Sequence, residues 1–458
     1  MEKITIKELI SSTKGKFVFG NPDYNITNVS TDTRCVHPGD IFFALKGKNF
    51  DAHDFIGKAI EKGSSCLVLS KMDEEISRYF PNVPAVILVE DTLKALGDFA
   101  LFYKKSVAPK TIAVTGSSGK TTTKEIIYSI FKNISPTLQT QKNYNNLVGV
   151  PLTLLNLNHE HKYCVVEIGI SIPGEMERLA EIVSPNVGVI TNIGRTHLEY
   201  LGDMDSVFSE KRKLLESLPA EGIAVINIDD PFLVGLKSGL KRKMVTYGFI
   251  GTGDVSAHDI RIEGSNTYFK LNLNKEIIDV KLPLPGRFNV MNALAAAAAS
   301  VALGVDNKTI KKGLEECSGI KMRMEKIELL SGALIINDAY NANPDSMRQS
   351  ISYFVEAYPD KKKIVVLGDM LELGNHSRNE HKLLGDFLAG LPLENIYLCG
   401  NMIKYVKENN QLTNARYFSR QEDMLDILQK KISKNTAILF KGSRGIGLEN
   451  TINKILRF

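Results

Sequence analysis

The segment Thr111-Ile112-Ala113-Val114-Thr115 runs directly into Gly116-Ser117-Ser118-Gly119-Lys120-Thr121, and a helical pattern follows to about Phe131. A strand, a glycine turn and a helix start, in that order, commit this part of the chain to an α/β layer, because the helix must pack back over the sheet. Glycines let backbone N–H groups close around phosphate oxygens, and the helix start adds the positive end of its dipole. On this reading Thr115, Gly116, Ser117, Ser118, Gly119, Lys120, Thr121 and Thr122 form a nucleotide-phosphate site. Lys120 reaches the outer phosphates, and the Thr121 hydroxyl is a candidate Mg²⁺ ligand. The G-x-x-x-x-G-K-[ST] spacing is not met, since its first glycine would fall at Val114. The loop is the shorter G-x-x-G-K-T form. A tight turn that merely contains a lysine is the competing reading.

The rest of the chain extends this pattern. At roughly 150 residues per domain, 458 residues suggest about three domains. Residues 1–107 mix short strands and helices, with Pro38-Gly39-Asp40 turning into a buried strand at Ile41-Phe42-Phe43-Ala44-Leu45. A polar joint, Tyr103 to Lys110, separates them from residues 108–319. There, apolar runs at Tyr163 to Ile168, Asn186 to Thr191 and Gly222 to Ile226 alternate with helical patterns, which predicts a parallel sheet covered on both faces. Residues 254–284 alternate polar and apolar, as a small antiparallel insert would. Residues 320–458 repeat the strand–helix alternation at Ala333 to Asn337, Lys363 to Gly368, Asn395 to Cys399 and Ala437 to Phe440. The expected architecture is therefore a small α/β N-terminal domain, a central phosphate-loop domain with a doubly wound, mostly parallel sheet, and a C-terminal Rossmann-like α/β domain.

Composition narrows the class. The net charge of +5 is small and its cations are scattered, which gives nucleic-acid binding no support. Five cysteines lie far apart without metal-ligand spacing and read as reduced thiols of a cytoplasmic protein. The first residues lack a signal-peptide core. The longest apolar stretch, Ala293 to Val305, is too short to span a bilayer and reads as a buried helix, so no membrane insertion is expected.

Further candidates gather near the loop. Glu167 ends the apolar run Tyr163-Cys164-Val165-Val166, where a carboxylate is costly unless paired or metal-bound. His197 lies in the loop after the run that ends at Thr191. An ion pair for Glu167 and a plain loop histidine are the alternatives. Lys211, in Ser209-Glu210-Lys211-Arg212-Lys213, reads from spacing as a solvated helix face. Asn143, Asn145 and Asn146, before Gly149-Val150-Pro151, either cap a helix or grip a polar ligand.

Taken together, the Thr115 to Thr123 run, Asn145-Asn146 with Gly149 and Pro151, Glu167, and Thr191-Asn192-Ile193-Gly194 with His197-Leu198-Glu199 resemble the Mur ligases, which add amino acids to the peptidoglycan precursor. Asn337-Asp338-Ala339-Tyr340-Asn341-Ala342-Asn343-Pro344-Asp345-Ser346-Met347 and Leu367 to Gly374, with His381 downstream, resemble the branch that adds a D-alanyl-D-alanine dipeptide. The resemblance implies an ATP-dependent ligase joining D-Ala-D-Ala to UDP-MurNAc-tripeptide through an acyl phosphate, acting as a monomer. It implies that Lys120 and the loop bind ATP phosphates, and that Thr121, Glu167 and His197 serve Mg²⁺, with two ions expected. Lys211 matches a lysine that relatives carbamylate, although a register slip would exchange it with Lys213. Asn289 and Asn292 match an adenine-contacting segment in which Phe288 replaces the usual His. Arg323 and Asp338 match groups that reach ATP from the last domain. Ser30, Thr31, Asp32, Thr33, Arg34, Lys46 and Gly47, with Asn143, Asn145 and Asn146, match the UDP-substrate side. Tyr340, Asn341, Asn343, Asp369 and Glu372 match the dipeptide side. A ligase for a single amino acid and a non-catalytic nucleotide binder are the rival readings.

Overall fold

The computed structural model describes residues 1–72, 74–78, 80–250, 253–409 and 411–457. Among them, the chain builds three main sheets, each with its own order of strands. The first orders Lys16–Gly20, Ala85–Leu88, Cys66–Leu69, Ile41–Phe43 and Val29–Ser30, antiparallel in its first pair and parallel thereafter. Ile41, Phe42 and Phe43 are fully buried, as an all-apolar strand between two neighbours requires.

The polar joint expected at Tyr103 to Lys110 is not a linker. Residues up to Val107 complete the helix Thr92–Val107, and Tyr103 and Lys104 are buried in it. The Tyr103 hydroxyl donates to Leu157 O at 2.6 Å, and Lys104 Nζ donates to Ser184 O at 2.9 Å, so polar tips on apolar stems fasten this helix to the ends of two helices that cover the next sheet. The turn shrinks to Ala108-Pro109, with Ala108 at φ +53°.

The central sheet runs Glu276–Leu282, Asn266–Leu273, Val255–Glu263, Lys243–Gly248, Ile223–Asn227, Val187–Ile190, Lys110–Thr115, Tyr163–Glu167 and Thr137–Gln139. It is parallel from Thr137–Gln139 through Val255–Glu263 and antiparallel beyond. The expected antiparallel insert is present and continues this sheet. Tyr247 pairs with Val255 and Gly248 with Ser256, which carries the ladder across. Thr267, Phe269, Leu271 and Leu273 then alternate into the core. Two strands of this sheet, Thr137–Gln139 and Lys243–Gly248, were not anticipated. One is three residues long, and the other follows a basic turn.

The Ala-rich segment is the helix Arg287–Ala302, in which every residue from Ala293 to Ser300 is at most 1% exposed. A helix apolar on all sides belongs inside a protein. Its small side chains let it lie close against the phosphate-loop helix Lys120–Phe131 and the central strands. The last sheet orders Glu325–Glu328, Leu334–Asp338, Thr436–Lys441, Lys362–Gly368, Asn395–Cys399 and Ala415–Phe418, with only the first pair antiparallel. No helix among the described residues is long and apolar enough to cross a membrane.

From Lys110–Thr115 the chain goes to the far edge strand Thr137–Gln139, returns to Tyr163–Glu167, and then crosses to Val187–Ile190. Lys110–Thr115 thus sits where strand order reverses, the place where open α/β sheets leave a crevice beyond the carboxyl ends of their strands.

Candidate active site

The phosphate loop is shaped by its neighbours. Gly116 has φ +144°, and a Cβ there would lie 1.9 Å from Thr191 Oγ1. Gly119 has φ +81°, and a Cβ there would meet Asn292 Oδ1 at 2.2 Å. Both positions therefore exclude a side chain on conformational and steric grounds. Ser117 N donates to Asn192 O at 3.0 Å and Ser118 N to Asn192 Oδ1 at 2.9 Å. The amides of Lys120, Thr121 and Thr122 open the helix and have no carbonyl partner within it, which leaves them for an anion. Thr115 is fully buried and donates its hydroxyl to Ile168 O, so it acts on the strand rather than on the cavity.

Lys120 Nζ folds back to Gly116 O at 2.7 Å. Burial lowers its proton affinity and Arg323 adds to this, while Glu167 and Glu372 oppose it. Glu167 is 3% exposed. Its Oε1 accepts from Asn145 Nδ2 at 2.8 Å, and its buried Oε2 has no hydrogen-bond partner among the described residues. An unpartnered buried carboxylate oxygen beside a phosphate loop has the chemistry of a hard-cation ligand. His197 takes the left-handed conformation, φ +56°, and its Nδ1 lies 2.5 Å from Glu372 Oε2. The approach is an ion-pair contact without hydrogen-bond geometry among the described residues, so either ring nitrogen is open to a metal. Burial holds His197 below the usual histidine range, Glu372 pulls the other way, and Lys211 and Lys120 depress it further.

The helix Met204–Glu216 corrects the reading of Lys211. The residue is 1% exposed rather than solvated, and its ammonium makes no hydrogen bond or ion pair among the described residues. Burial pushes its pKa well below the ordinary lysine value; Lys120 pushes the same way, against Glu210. Lys213 instead pairs with Glu210 Oε1 at 2.5 Å and is partly exposed.

A cavity of about 970 Å³ joins the phosphate loop, Glu167 and His197 to the last sheet, and its lining does not include Lys211 or Glu372. Lys120, Thr121, Glu167, His197, Asn145 and Asn146 line it from the central sheet, while Arg323, Asp338, Tyr340, Asn341 and Asn343 line it from the last. Arg323 lies 4.4 Å over the Tyr340 ring, and its Nη2 donates to the Thr121 hydroxyl at 2.8 Å. Asp338 ends its strand with Oδ2 taking Ser350 Oγ and Lys441 Nζ, both at 2.6 Å. Asn343 caps the helix Pro344–Ala357 and donates to Ser118 Oγ at 3.0 Å. Asn292, against the phosphate loop at Gly119, lines the cavity together with Asn289, Phe288 and Phe249, the last under the Arg287 guanidinium at 5.0 Å. Phe288 meets Tyr353 edge-on, an apolar contact in place of a hydrogen bond.

The amide cluster divides. Asn146 Oδ1 accepts from Val148 N and Gly149 N and so caps the helix Gly149–Leu154, Asn145 holds Glu167, and Asn143 is exposed and outside the cavity. Asp369 is 2% exposed and does not line the cavity. Its oxygens take the N–H groups of Asn401, Met402 and Ile403, which makes it a strut for the neighbouring turn. Ser30, Thr31, Asp32, Thr33, Arg34, Lys46 and Gly47 also lie outside the cavity, after the carboxyl ends of Val29–Ser30 and Ile41–Phe43. Asp32 there orders Arg34 through a bond from Arg34 N at 2.9 Å and an ion pair at 2.6 Å.

The chain matches three family models: "Mur ligase family, catalytic domain" over residues 25–104, "Mur ligase middle domain" over 114–300, and "Mur ligase, glutamate ligase domain" over 322–444. It is 33% identical over 466 residues to the UDP-N-acetylmuramoyl-tripeptide–D-alanyl-D-alanine ligase of Bacillus subtilis (strain 168), a match spanning 100% of this chain and 99% of that protein. This chain belongs to the Mur ligase family. Among solved structures, MurF from Acinetobacter baumannii superposes with a TM-score of 0.93 at 35% identity over 100% of both chains. A MurF ligase from Thermotoga maritima in complex with ADP superposes with a TM-score of 0.83 at 28% identity, covering 94% of this chain and 97% of that one.

Several polar cavity groups of this Mur ligase escaped the sequence reading, among them Asp230, Arg348 and Lys441. Lys441 is 2% exposed, ends the strand Thr436–Lys441, and neutralises Asp338. Its signal was the glycine-rich turn Lys441-Gly442-Ser443-Arg444-Gly445 directly after an apolar strand, the same strand-to-turn pattern that marked the phosphate loop.

Proposed function

We propose that this chain is an ATP-dependent ligase that joins D-alanyl-D-alanine to the terminal carboxylate of UDP-N-acetylmuramoyl-tripeptide, forming ADP, phosphate and the pentapeptide precursor of peptidoglycan. The observation that carries this reading is the single cavity in which Lys120 and the unpartnered Glu167 oxygen face Arg323, Asp338 and Tyr340 from another sheet. The full-length likeness to ligases of that name supports the choice of substrates, and the ADP-bound Thermotoga maritima relative supports the nucleotide.

A carboxylate does not form an amide at neutral pH, because its oxygen is a poor leaving group. Its oxygen attacks the γ-phosphorus of ATP, the bond to ADP breaks, and an acyl phosphate results. The dipeptide amine, having lost a proton, then attacks the acyl carbon, and phosphate departs with the electrons of the C–O bond. Lys120, the amides at the start of its helix and Arg323 oppose the charge that gathers on the transferred group. Thr121, Glu167 and His197, with a carbamylated Lys211, would hold Mg²⁺, two ions in all, which when bound offset repulsion between the two anions. The uncharged amine favoured by the burial of Lys211 is the form that attacks CO₂, making an N–C bond, releasing a proton and leaving a carboxylate-like ligand. Lys213 is spoken for by Glu210.

Duties divide among residues 1–107, 108–319 and 320–458. Ser30 to Arg34, Lys46 and Gly47 serve the UDP end, with Asn145 and Asn146 nearer the reacting carboxylate. Asn289, Asn292 and Asp338 serve the nucleoside of ATP, and Tyr340, Asn341, Asn343 and Glu372 the dipeptide. Closing the third unit over the second excludes water from the acyl phosphate. The enzyme is proposed to act as a monomer in the bacterial cytoplasm. The test is phosphate release from ATP with UDP-MurNAc-tripeptide and either D-Ala-D-Ala or single amino acids. Turnover is expected with the dipeptide; turnover with lysine or diaminopimelate but not the dipeptide would overturn the assignment.

A further inference from the structure

Lys124 lies one turn beyond Lys120 on the phosphate-loop helix and is 1% exposed, a costly place for an ammonium unless its bonds are used. Its Nζ donates to Thr140 O at 2.8 Å and to Glu125 Oε1 at 2.6 Å. Glu125 Oε2 in turn accepts from Gln139 Nε2 at 3.1 Å. The ammonium therefore fastens the end of strand Thr137–Gln139 to the phosphate-loop helix. Thr140 is fully buried, and its hydroxyl accepts the N–H of Glu167 at 3.0 Å. Five residues on, Asn145 donates to Glu167 Oε1 and its carbonyl accepts Gly169 N, each at 2.8 Å. The backbone and one oxygen of Glu167 are thus both held by the segment 140–145, and Lys124 fixes where that segment begins.

We infer that Lys124 is a positioning residue: through Thr140 it sets the free Oε2 of Glu167 relative to Lys120, so the loop that holds the phosphates also aims the carboxylate that takes the cation. The inference rests on the reading of Glu167 as a metal ligand. Groups that orient a ligand from behind commonly change metal affinity by about 10–100-fold when removed.

The experiment titrates the full chain with Mn²⁺ in the presence of ADP, following free Mn²⁺ by electron paramagnetic resonance. Lys124→Met, Thr140→Val, Thr140→Ser and Glu167→Gln are compared, with thermal midpoints taken without ligand to show that each is folded. Lys124→Met and Thr140→Val are expected to weaken Mn²⁺ binding about tenfold and to speed amide exchange across residues 140–146. Thr140→Ser, which keeps the hydroxyl, retains the wild-type affinity. A purely structural role would lower the midpoint of Lys124→Met and leave Mn²⁺ affinity of the folded protein unchanged. If Glu167→Gln weakens binding while Lys124→Met and Thr140→Val do not, the positioning inference falls and the ligand role of Glu167 stands. If Glu167→Gln also binds Mn²⁺ normally, the ligand reading falls and takes this inference with it. Should Lys124→Met fail to fold, Glu125→Ala takes its place: it removes, at a partly exposed position, one of the two acceptors that hold the Lys124 ammonium, and unchanged Mn²⁺ affinity with unchanged exchange across residues 140–146 overturns the inference.

Discussion

An ammonium buried without a partner favours its neutral form, and Lys211 is 1% exposed with the Lys120 cation adding to that pressure. Lys211→Ala is expected to reduce turnover by at least about a hundredfold, at the upper end of what disturbed metal sites lose, and a short-chain carboxylic acid to restore part of it. Lys213→Ala, which removes only a partly exposed pair with Glu210, should stay within about threefold. Steady-state rates of the two variants check this, and full activity in Lys211→Ala would sink the carbamate proposal. Sequence spacing could not have separated these lysines, because burial of a helix position depends on what packs against it. A second residue offers a pH test. Burial tends to raise the Asp51 pKa, but bonds from the His53 backbone, the His53 ring and Lys71 outweigh it and bring the carboxyl down to about 2. A depressed folded-state pKa stabilises above the unfolded value and is lost as pH falls through the folded one. Asp51→Asn should therefore cost on the order of 2 kcal/mol near neutrality, and thermal melts should show the gap closing between about pH 4 and pH 2.

The helix Pro344–Ala357 shows one residue serving both an element and the site. Asn343 Oδ1 accepts from Ser346 N at 2.8 Å, Ser346 Oγ returns a contact to the Asn343 backbone, and Pro344 occupies the first turn without needing a donor. The same side chain donates to Ser118 in the phosphate loop. Asn343→Ala should cost about 1 kcal/mol of stability, the usual value of such a cap, and raise the KM for ATP. Asn343→Ser should restore the thermal midpoint but not the KM, because the shorter side chain keeps the cap and loses the reach. Equal recovery of both would show that the Ser118 contact carries nothing. The phosphate-loop helix was written in its glycines, whereas Asn343 was read only as a match to the dipeptide side and its capping role came from the structure. Strands such as Thr137–Gln139 were not legible either, since three residues are too few for a period-two pattern to stand out.

Across the molecule, the last sheet's unit rests on the central one through polar contacts around the cavity. Arg195 pairs with Asp345 at 3.4 Å and Glu380 at 3.3 Å, Glu372 meets His197, and Arg323 reaches Thr121. The half-exposed pair with Asp345 contributes about 0.5–1 kcal/mol, so its loss together with the bond to the buried Glu380 in Arg195→Ala should shift the open-to-closed ratio at least about two- to fivefold. Small-angle scattering is expected to give a larger radius of gyration for the variant without ligand, and the same radius as wild type with saturating nucleotide. Identical scattering in both states would show that Arg195 does not hold the units together.

The sequence by itself determined that residues 111–131 form a strand, an anion-binding turn and a helix, because glycine spacing and apolar periodicity are local properties of the backbone. It also marked Glu167 and His197 as candidates, since one ends and the other follows a strand recognisable from its run of apolar residues. Only the tertiary structure decided that Glu167 keeps one oxygen unpartnered, that Lys211 is buried while Lys213 is paired, and that Lys441 and Lys124 are interior cations with defined acceptors. Those outcomes depend on groups brought together from distant parts of the chain, such as Lys441 on Asp338 and Arg323 on Thr121, and no local pattern encodes such meetings. The phosphate loop was legible because its chemistry lies in consecutive residues. The cavity it faces was not, because its walls come from two sheets whose packing alone sets the distance between them.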